Sequence, residues 1–344
     1  MAILRLLSWF YAIGAAIHRA WYVRGPGRPT RLPCKVVSVG NLVVGGSGKT
    51  PTVAWIAANL RRRGHRVAIA SRGYGGRAGD GVHVVSDGRH VLGRFEDSGD
   101  EPMWLAARAP GVPVVVGRRR DRVGYHAVAA FDTHILVLDD GFQHHRLARD
   151  LDLVAFHGGA GLGNGAVLPR GPLRERVRAL RAADAILVVD GPLPESDATA
   201  LAEAAPGVPW FSVERPPTRI RVLSGSSGAP AHELAGRRVG MLTGIARPAA
   251  LRSTLAALGA DVVAERTFPD HHVYTASEVA GLAGEAPLWV TTEKDAGKIP
   301  PAWVGEADVR VLVLGTEVDE GEAFLDWIEA RLRARPQGRD ASIA

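Results

Sequence analysis

The chain has 344 residues, 46% of them apolar, a mean hydropathy of +0.02 and a formal charge of +6, which excludes a disordered or fibrous chain and leaves room for two domains of ordinary size. Its one cysteine, Cys34, excludes a disulfide framework and a cysteine-built metal site and favours a reducing compartment. All but four of the 42 basic residues are arginine, which suits anionic partners, yet they are scattered along the chain and match no nucleic-acid-binding module.

In chain order, residues 3–23 predict a helix with aromatic residues near both ends and Arg5, His18, Arg19 and Arg24 on or beside its flanks. Its uninterrupted apolar run, Leu6 to Ile17, is twelve residues, short of the about twenty that span a bilayer. The expected arrangement is a helix lying in a membrane interface, with Trp and Phe among acyl chains and arginines at lipid phosphates. A helix packed onto the domain's own core is the alternative. Gly25-Pro26-Gly27-Arg28-Pro29 ends the segment.

The stretch from Val36 to Pro51 organises the rest of the chain. A β-branched run stops at Gly40-Asn41, a small-residue loop runs through Gly45-Gly46-Ser47-Gly48, and Lys49-Thr50-Pro51 opens an amphipathic helix with Val53, Ile56, Ala57 and Leu60 on one face. Glycines let several backbone N–H groups converge on phosphate oxygens, and the helix N-terminus adds partial positive charge. Lys49 is then expected at the β- and γ-phosphates and the Thr50 hydroxyl at Mg²⁺. Position 43, where the strict phosphate-loop pattern has Gly, is Val. A nucleotide loop also argues against a cleaved export signal, since export would strand it in a compartment without ATP.

Strands are expected at residues 66–70, 82–85, 112–116, 135–138, 151–156 and 186–190, the last closing the first sheet. Asp100, ahead of Pro102 and the apolar helix 103–109, has the setting of a helix-capping carboxylate. The basic run Arg118 to Arg122 is expected to be a solvated helix face, with room for one arginine to reach a phosphate. Ile135 to Leu138 ending in Asp139-Asp140 is how a phosphate-loop enzyme brings an Asp to Mg²⁺ from a neighbouring strand. His144 and His145 come soon after, but adjacent histidines project in different directions and no third ligand has a matching spacing, so zinc is not expected.

Residues 191–218, rich in Pro, Ala and acidic residues, look like a connection. Beyond it a smaller α/β unit is expected, with strands at 219–223, 238–243, 261–267, 288–291 and 310–314 and helices at 247–258, 276–283 and 321–334. The loop from Phe268 to Tyr274 sets His271 and His272 beside the Asp270 carboxylate, and the stretch from Thr291 to Lys298 holds two of the four lysines, Lys294 and Lys298, just past a strand end. On the residues alone, each is equally well explained by function or by loop solvation.

Taken together, Gly45 to Pro51, Ser71-Arg72-Gly73-Tyr74-Gly75, Gly99-Asp100-Glu101-Pro102, Leu138 to His144, Gly171-Pro172-Leu173-Arg174-Glu175, Asp270-His271-His272 and Thr292 to Asp295 resemble the tetraacyldisaccharide 4'-kinase family. The resemblance runs through nearly the whole chain; Arg176, where the family pattern has Pro, is a departure. It implies an α/β fold with a P-loop NTPase core, a mostly parallel sheet flanked by helices and a smaller C-terminal α/β domain. The expected boundaries are a membrane-interface helix and linker at 1–30, a kinase domain at 31–215 and the smaller domain at 216–344. It implies ATP and Mg²⁺ as cofactors and phosphoryl transfer to the 4'-hydroxyl of a lipid A disaccharide 1-phosphate precursor. The enzyme would be peripheral, at the cytoplasmic face of a Gram-negative inner membrane, with no nucleic acid and no obligatory protein partner. By resemblance, Gly45, Gly46, Ser47, Gly48, Lys49 and Thr50 bind ATP. Thr50, one or both of Asp139 and Asp140, and Glu175 arrange Mg²⁺, and Asp100 is the base with His271 as its partner. The pair is expected to form fully when the domains close about a hinge near 216–237. The rival reading is a membrane-associated phosphate-loop ATPase switch without small-molecule transfer.

Overall fold

The computed structural model describes residues 2–23, 25–73, 81–93, 95–225, 227–270 and 272–335. The chain begins with helix α1 (Ala2–Val23). The first sheet is built from β1 (Lys35–Gly40), β2 (Val67–Ser71), β3 (His83–Ser86), β4 (Val114–Val116), β5 (Ile135–Asp139), β6 (Leu151–His157), β7 (Ala185–Val189) and β8 (Trp210–Glu214). Its order from β8 is β8-β7-β6-β1-β5-β2-β4-β3, parallel throughout except for β3 at one edge. Central strands covered on both faces are apolar nearly without interruption, which is why β1 and β5 carry runs of Val, Ile and Leu.

The pleat divides those runs between two faces. Val37, Val39, Ile69 and Val137 face Val53, Ile56 and Leu60 of α2 (Lys49–Arg62). Val36, Ala68, Leu136 and Leu138 face Val123 and Ala127 in a second cluster. Along the chain α2 is followed by α3 (Phe95–Ser98), by α4 (Asp100–Arg108), which adds Leu105 and Ala106 to the first cluster, and by α5 (Arg120–Phe131), which supplies Val123 and Ala127 to the second. Helix α1 adds Ala12 to a third cluster with Leu42, Phe142 and Phe156.

Residues expected as a connection instead complete this sheet. They form α6 (Glu195–Ala204), whose Leu201 is fully buried, and β8, which pairs in parallel with β7, so the sheet does not close at residue 190. Apolar spacing at 201, 205 and 213 decides this against the Pro and acidic content.

The second unit, Arg215–Gly315, is a six-stranded sheet of β9 (Pro217–Val222), β10 (Gly228–Pro230), β11 (Arg238–Thr243), β12 (Asp261–Thr267), β13 (Trp289–Thr292) and β14 (Val309–Leu314) in the order β10-β9-β14-β13-β11-β12. Its helices are α7 (Pro248–Ala257), α8 (Ala276–Val279) and α9 (Glu293–Ala296). The helix expected over 276–283 stops at Val279, where Ala280 turns extended (ψ 149°) and Gly281, at φ +77°, leads into a separate 3₁₀ turn. Fully buried Trp289 donates its indole N–H to Leu282 O at 2.7 Å, and its ring lies where a Cβ at Gly240 would sit, 2.5 Å away. Asp295 of α9 is buried and accepts from Thr243 Oγ1 (2.9 Å), Thr292 Oγ1 (2.8 Å) and Gly244 N (3.1 Å), which ties α9 to the end of β11.

Two expected boundaries are corrected. The segment 216–237 is no hinge but β9, β10 and a 3₁₀ turn of the second sheet. Nor does the second unit run to the C-terminus. From Thr316 the chain rejoins the first unit, where β15 (Glu317–Val318) pairs with β8 and α10 (Gly321–Ala334) buries Phe324, Leu325, Ile328 and Leu332. Phe324 packs on Phe211 with ring centroids 4.4 Å apart, and Arg63 pairs with Glu322, Asp326 (2.7 Å) and Glu329 (3.3 Å). An amphipathic C-terminal helix fits either sheet in sequence; aromatic partners on α2 and β8 select the first.

Candidate active site

The loop after β1 is held from both sides. Gly40 packs against Phe142, whose Cβ would be 2.4 Å from a Cβ at 40, and Gln143 Nε2 donates to Asn41 O at 2.8 Å. Across the loop, Val44 N donates to Pro172 O (2.8 Å), Arg174 N donates to Leu42 O (2.7 Å), and Val43 pairs with Leu173 in an antiparallel bridge. That bridge, with the Val43 side chain packed on the Leu42–Phe142 cluster, accounts for a β-branched residue where strict phosphate loops carry Gly. Gly45 (φ +113°) and Gly48 (φ +74°) take left-handed backbone that a side chain resists, and Gly48 also abuts Val189. Gly45 and Gly46 are exposed, Ser47 and Gly48 are buried, and α2 starts at Lys49 with its free amides toward the loop.

Strand β5 lies beside β1 with Asp139 in register with Val39, which brings its carboxylate to the base of the loop. Asp139 is 2% exposed; its Oδ2 is 3.5 Å from Thr50 Oγ1 and 3.4 Å from Ser71 Oγ, and its Oδ1 has no hydrogen-bond partner among the described residues. Burial, then the charge of Glu101, holds its pKa well above the usual carboxylate range, and Lys49 only partly offsets them. Asp140 turns the other way through a left-handed φ of +57°. It lies 3.5 Å from Lys49 Nζ and 2.8 Å from Arg174 Nη1. Burial works against the Asp140 carboxylate, but those two cations outweigh it and hold its pKa below the usual value.

The expected metal set is therefore only half assembled. Thr50 and Asp139 meet, and a buried carboxylate with an orphaned oxygen and a neighbouring hydroxyl fits a hard cation such as Mg²⁺. Asp140 faces cations instead. Glu175, also expected in that set, has its oxygens on Arg19 Nη1 of α1 (2.6 Å) and His145 Nε2 (3.3 Å). Among the described residues no group of three acidic or imidazole side chains could hold a metal.

Asp100 is the first residue of α4, behind Gly99 at φ +83°; it is 8% exposed and its Oδ1 accepts from Glu101 N at 3.0 Å. The cap position is Gly99, with no side-chain cap hydrogen bond, so Asp100 stands in the first turn of α4 and is not the helix cap that its sequence setting suggested; its neighbour Glu101 acts on Asp139. His271 and Tyr74 lie outside the described residues.

Two groups at the site escape sequence reasoning. Glu101 stands out only as part of a motif. Arg120, expected in a solvated run, is 4% exposed; burial lowers its pKa to about 10, while Asp139 and Asp140 pull it back up. Its Nη1 donates to Gly117 O at 2.7 Å and its Nε has no partner among the described residues. The available signal is spacing: 120, 123, 124 and 127 form the buried stripe of α5, which singles out Arg120 among its basic neighbours.

A buried cation, a lysine at a glycine loop and an orphaned carboxylate oxygen form a site for a nucleotide's phosphates and a cation. Comparison with known proteins agrees. The family model described as tetraacyldisaccharide-1-P 4'-kinase matches residues 1–333. Curated relatives named tetraacyldisaccharide 4'-kinase include one from Anaeromyxobacter dehalogenans, 43% identical over 90% of this chain and 84% of the relative. Another, from Chromobacterium violaceum, is 38% identical over 97% of this chain and 94% of its own length. The crystal structure of LpxK from Aquifex aeolicus in complex with ATP superposes with a TM-score of 0.78 at 30% identity, covering 96% of this chain and 99% of that one. The chain belongs to the tetraacyldisaccharide-1-P 4'-kinase family.

Proposed function

We propose that the chain transfers the γ-phosphoryl group of ATP to the 4'-hydroxyl of a tetraacyldisaccharide 1-phosphate, a membrane-borne lipid A precursor. The observation that carries this reading is Lys49 and Thr50 at the glycine loop with Asp139 brought beside them by β5, in a chain matched to the family from residue 1 to 333.

Phosphoryl transfer asks the protein to position two groups and offset charge. The amides of Gly45 to Gly48 and the Lys49 ammonium hold the triphosphate. When Lys49 turns from Asp140 toward phosphate, Arg174 keeps that carboxylate paired. Arg120 sets a second, buried cation before the same carboxylates. Mg²⁺, held by Thr50 and Asp139, would neutralise charge on the phosphate oxygens when bound. Asp100 takes the proton of the acceptor hydroxyl, a weak nucleophile at neutral pH, and His271 is its partner on the resemblance alone.

A tetraacylated acceptor stays in a bilayer, so the enzyme must meet it there. No described helix is long and apolar enough to cross a membrane, yet α1 leaves Ile3, Leu6, Trp9, Phe10, Ile17 and Trp21 more than half exposed. Such a helix supports peripheral binding at the cytoplasmic face of the inner membrane, where ATP is available. The test is incubation with γ-labelled ATP and detergent-dispersed tetraacyldisaccharide 1-phosphate. Label in the lipid is expected; nucleotide hydrolysis indifferent to the lipid would instead favour an ATPase switch.

A further inference from the structure

Helix α1 reaches the supports of the phosphate loop through Arg19. Its Nη1 donates to Glu175 Oε2 (2.6 Å) and its Nη2 to Ala179 O (3.2 Å), in the 3₁₀ turn Val177–Ala182. The guanidinium carbon lies 5.2 Å from the centre of the Phe142 ring. A planar cation with a donor fork and a flat face serves a carboxylate, a carbonyl and an aromatic ring at once, which an ammonium cannot.

Two of those partners adjoin residues that hold the loop. Phe142 packs against Gly40, where the loop leaves β1, and Gln143 beside it donates to Asn41 O. Glu175 follows Arg174, whose backbone N–H donates to Leu42 O and whose guanidinium pairs with Asp140. Just before them, Pro172 accepts from Val44 N and Leu173 bridges Val43. Residues 172–175 are thus a strap along the outer side of the loop, and the strap carries the cation that lets Lys49 leave Asp140.

Glu175 fastens the end of this strap. It is 7% exposed, and its other oxygen lies 3.3 Å from Nε2 of His145, itself 3% exposed. Burial works against the carboxylate, but the His145 hydrogen bond and the Arg19 charge hold its pKa below the usual value. Without Arg19 that buried charge keeps only an imidazole, and a buried carboxylate deprived of its full cation moves toward water or toward another cation. Either movement shifts Arg174, one residue away, from Asp140.

We propose that Arg19 is a positioning residue for ATP: by pinning Glu175 it keeps Arg174 on Asp140, and so leaves Lys49 available to phosphate. The proposal rests on the nucleotide half of the kinase reading. It gives the N-terminal helix a task at the ATP site that needs no lipid.

The test is calorimetric titration with a non-hydrolysable ATP analogue and Mg²⁺, in the absence of acceptor, lipid and detergent. Arg19→Gln should raise Kd about fivefold, and Arg19→Lys, which returns a cation to Glu175, should recover most of that loss. Arg19→Gln added to Arg174→Ala should cost nothing further, because the group that Arg19 places is already gone. With ATP and acceptor both saturating, kcat of Arg19→Gln should stay within about twofold of the wild type. Loosened helix packing alone would add to the Arg174→Ala loss and would not be repaired by lysine; either result overturns the proposal, as does an unchanged Kd in Arg19→Gln. Glu175→Gln approaches the same pair from the strap and keeps the test open if Arg19→Gln does not fold. It should raise Kd about as much as Arg19→Gln does, again with no further cost on Arg174→Ala, and a wild-type Kd in Glu175→Gln overturns the proposal too. A wild type that binds the analogue but moves no label from ATP to the lipid would overturn the kinase reading and leave the role of Arg19 standing.

Discussion

One nitrogen of Arg174 reaches both oxygens of Asp140, at 3.0 and 2.8 Å, while Lys49 waits 3.5 Å from the same carboxylate. Two cations on one anion mean that either can leave without stranding a partly buried charge. Removing Arg174 makes Lys49 the sole partner of Asp140 and holds it back from phosphate. Arg174→Ala should therefore raise KM for ATP about tenfold, about 1.4 kcal/mol of binding. Adding Asp140→Asn should recover part of that loss, because the competing charge is gone. Steady-state kinetics on both variants checks this, and an unchanged KM in the single variant counts against it.

The parts of the site legible in the amino-acid sequence are those set by local signals. Gly45 to Thr50 announce themselves, because a tight turn, an anion and a helix start demand those residues in that order. Asp139 is nearly as clear, since a strand ending in carboxylate has one obvious use beside such a loop. The partners of Glu175 are not legible in the sequence, because Arg19 and His145 are 156 and 30 residues away and no spacing rule reaches that far. The same holds for α10: its amphipathic face is plain, but its choice of sheet depends on Phe211 and Trp55. Arg120 lies within reach, since helical spacing places it on the buried face.

The different partners of Asp139 and Glu175 make a sharp prediction about metal dependence. Asp139→Asn should raise the Mg²⁺ concentration for half-maximal rate at least tenfold, on the order of 1.4 kcal/mol or more, and chelation should abolish turnover in every variant. Glu175→Gln should leave that concentration unchanged, because both carboxylate oxygens already serve Arg19 and His145. It should cost about 1–3 kcal/mol of stability through the weakened buried pair. Mg²⁺ titrations of the initial rate and thermal melts separate the two residues; a Glu175→Gln enzyme that needs more Mg²⁺ would return Glu175 to the metal.

Asp100 tests the division between holding nucleotide and moving a proton. Asp100→Asn keeps the size of the side chain and an oxygen for the Glu101 amide, so α4 should begin where it does now. The amide cannot take the acceptor's proton, and kcat should fall about 10²- to 10⁴-fold. Equilibrium binding of ATP should stay within about twofold, since no phosphate contact is assigned to this residue. Loss of ATP affinity in parallel with kcat would make Asp100 a structural residue of α4's first turn and nothing more.

Cys34, just before β1, gives a pH prediction independent of the site. It is 4% exposed, and burial, then the nearby Asp150 charge, pushes its thiol pKa up to about 12 from the usual 9.0. Below pH 9.0 both folded and unfolded chains keep the proton and the native state has its full advantage. Between there and about 12 the unfolded chain loses the proton first, so this group's contribution falls as pH rises, by up to about 1.4 kcal/mol per pH unit. Cys34→Ala has no such proton, and its stability deficit relative to the wild type should shrink on going from pH 8 to pH 10.5. Native protein at pH 8 should leave a thiol reagent unconsumed, while denaturant should release one reactive thiol per chain. Paired denaturation curves at the two pH values decide the matter: a stability gap that stays constant or widens with alkali would mean that the folded chain does not hold this thiol protonated.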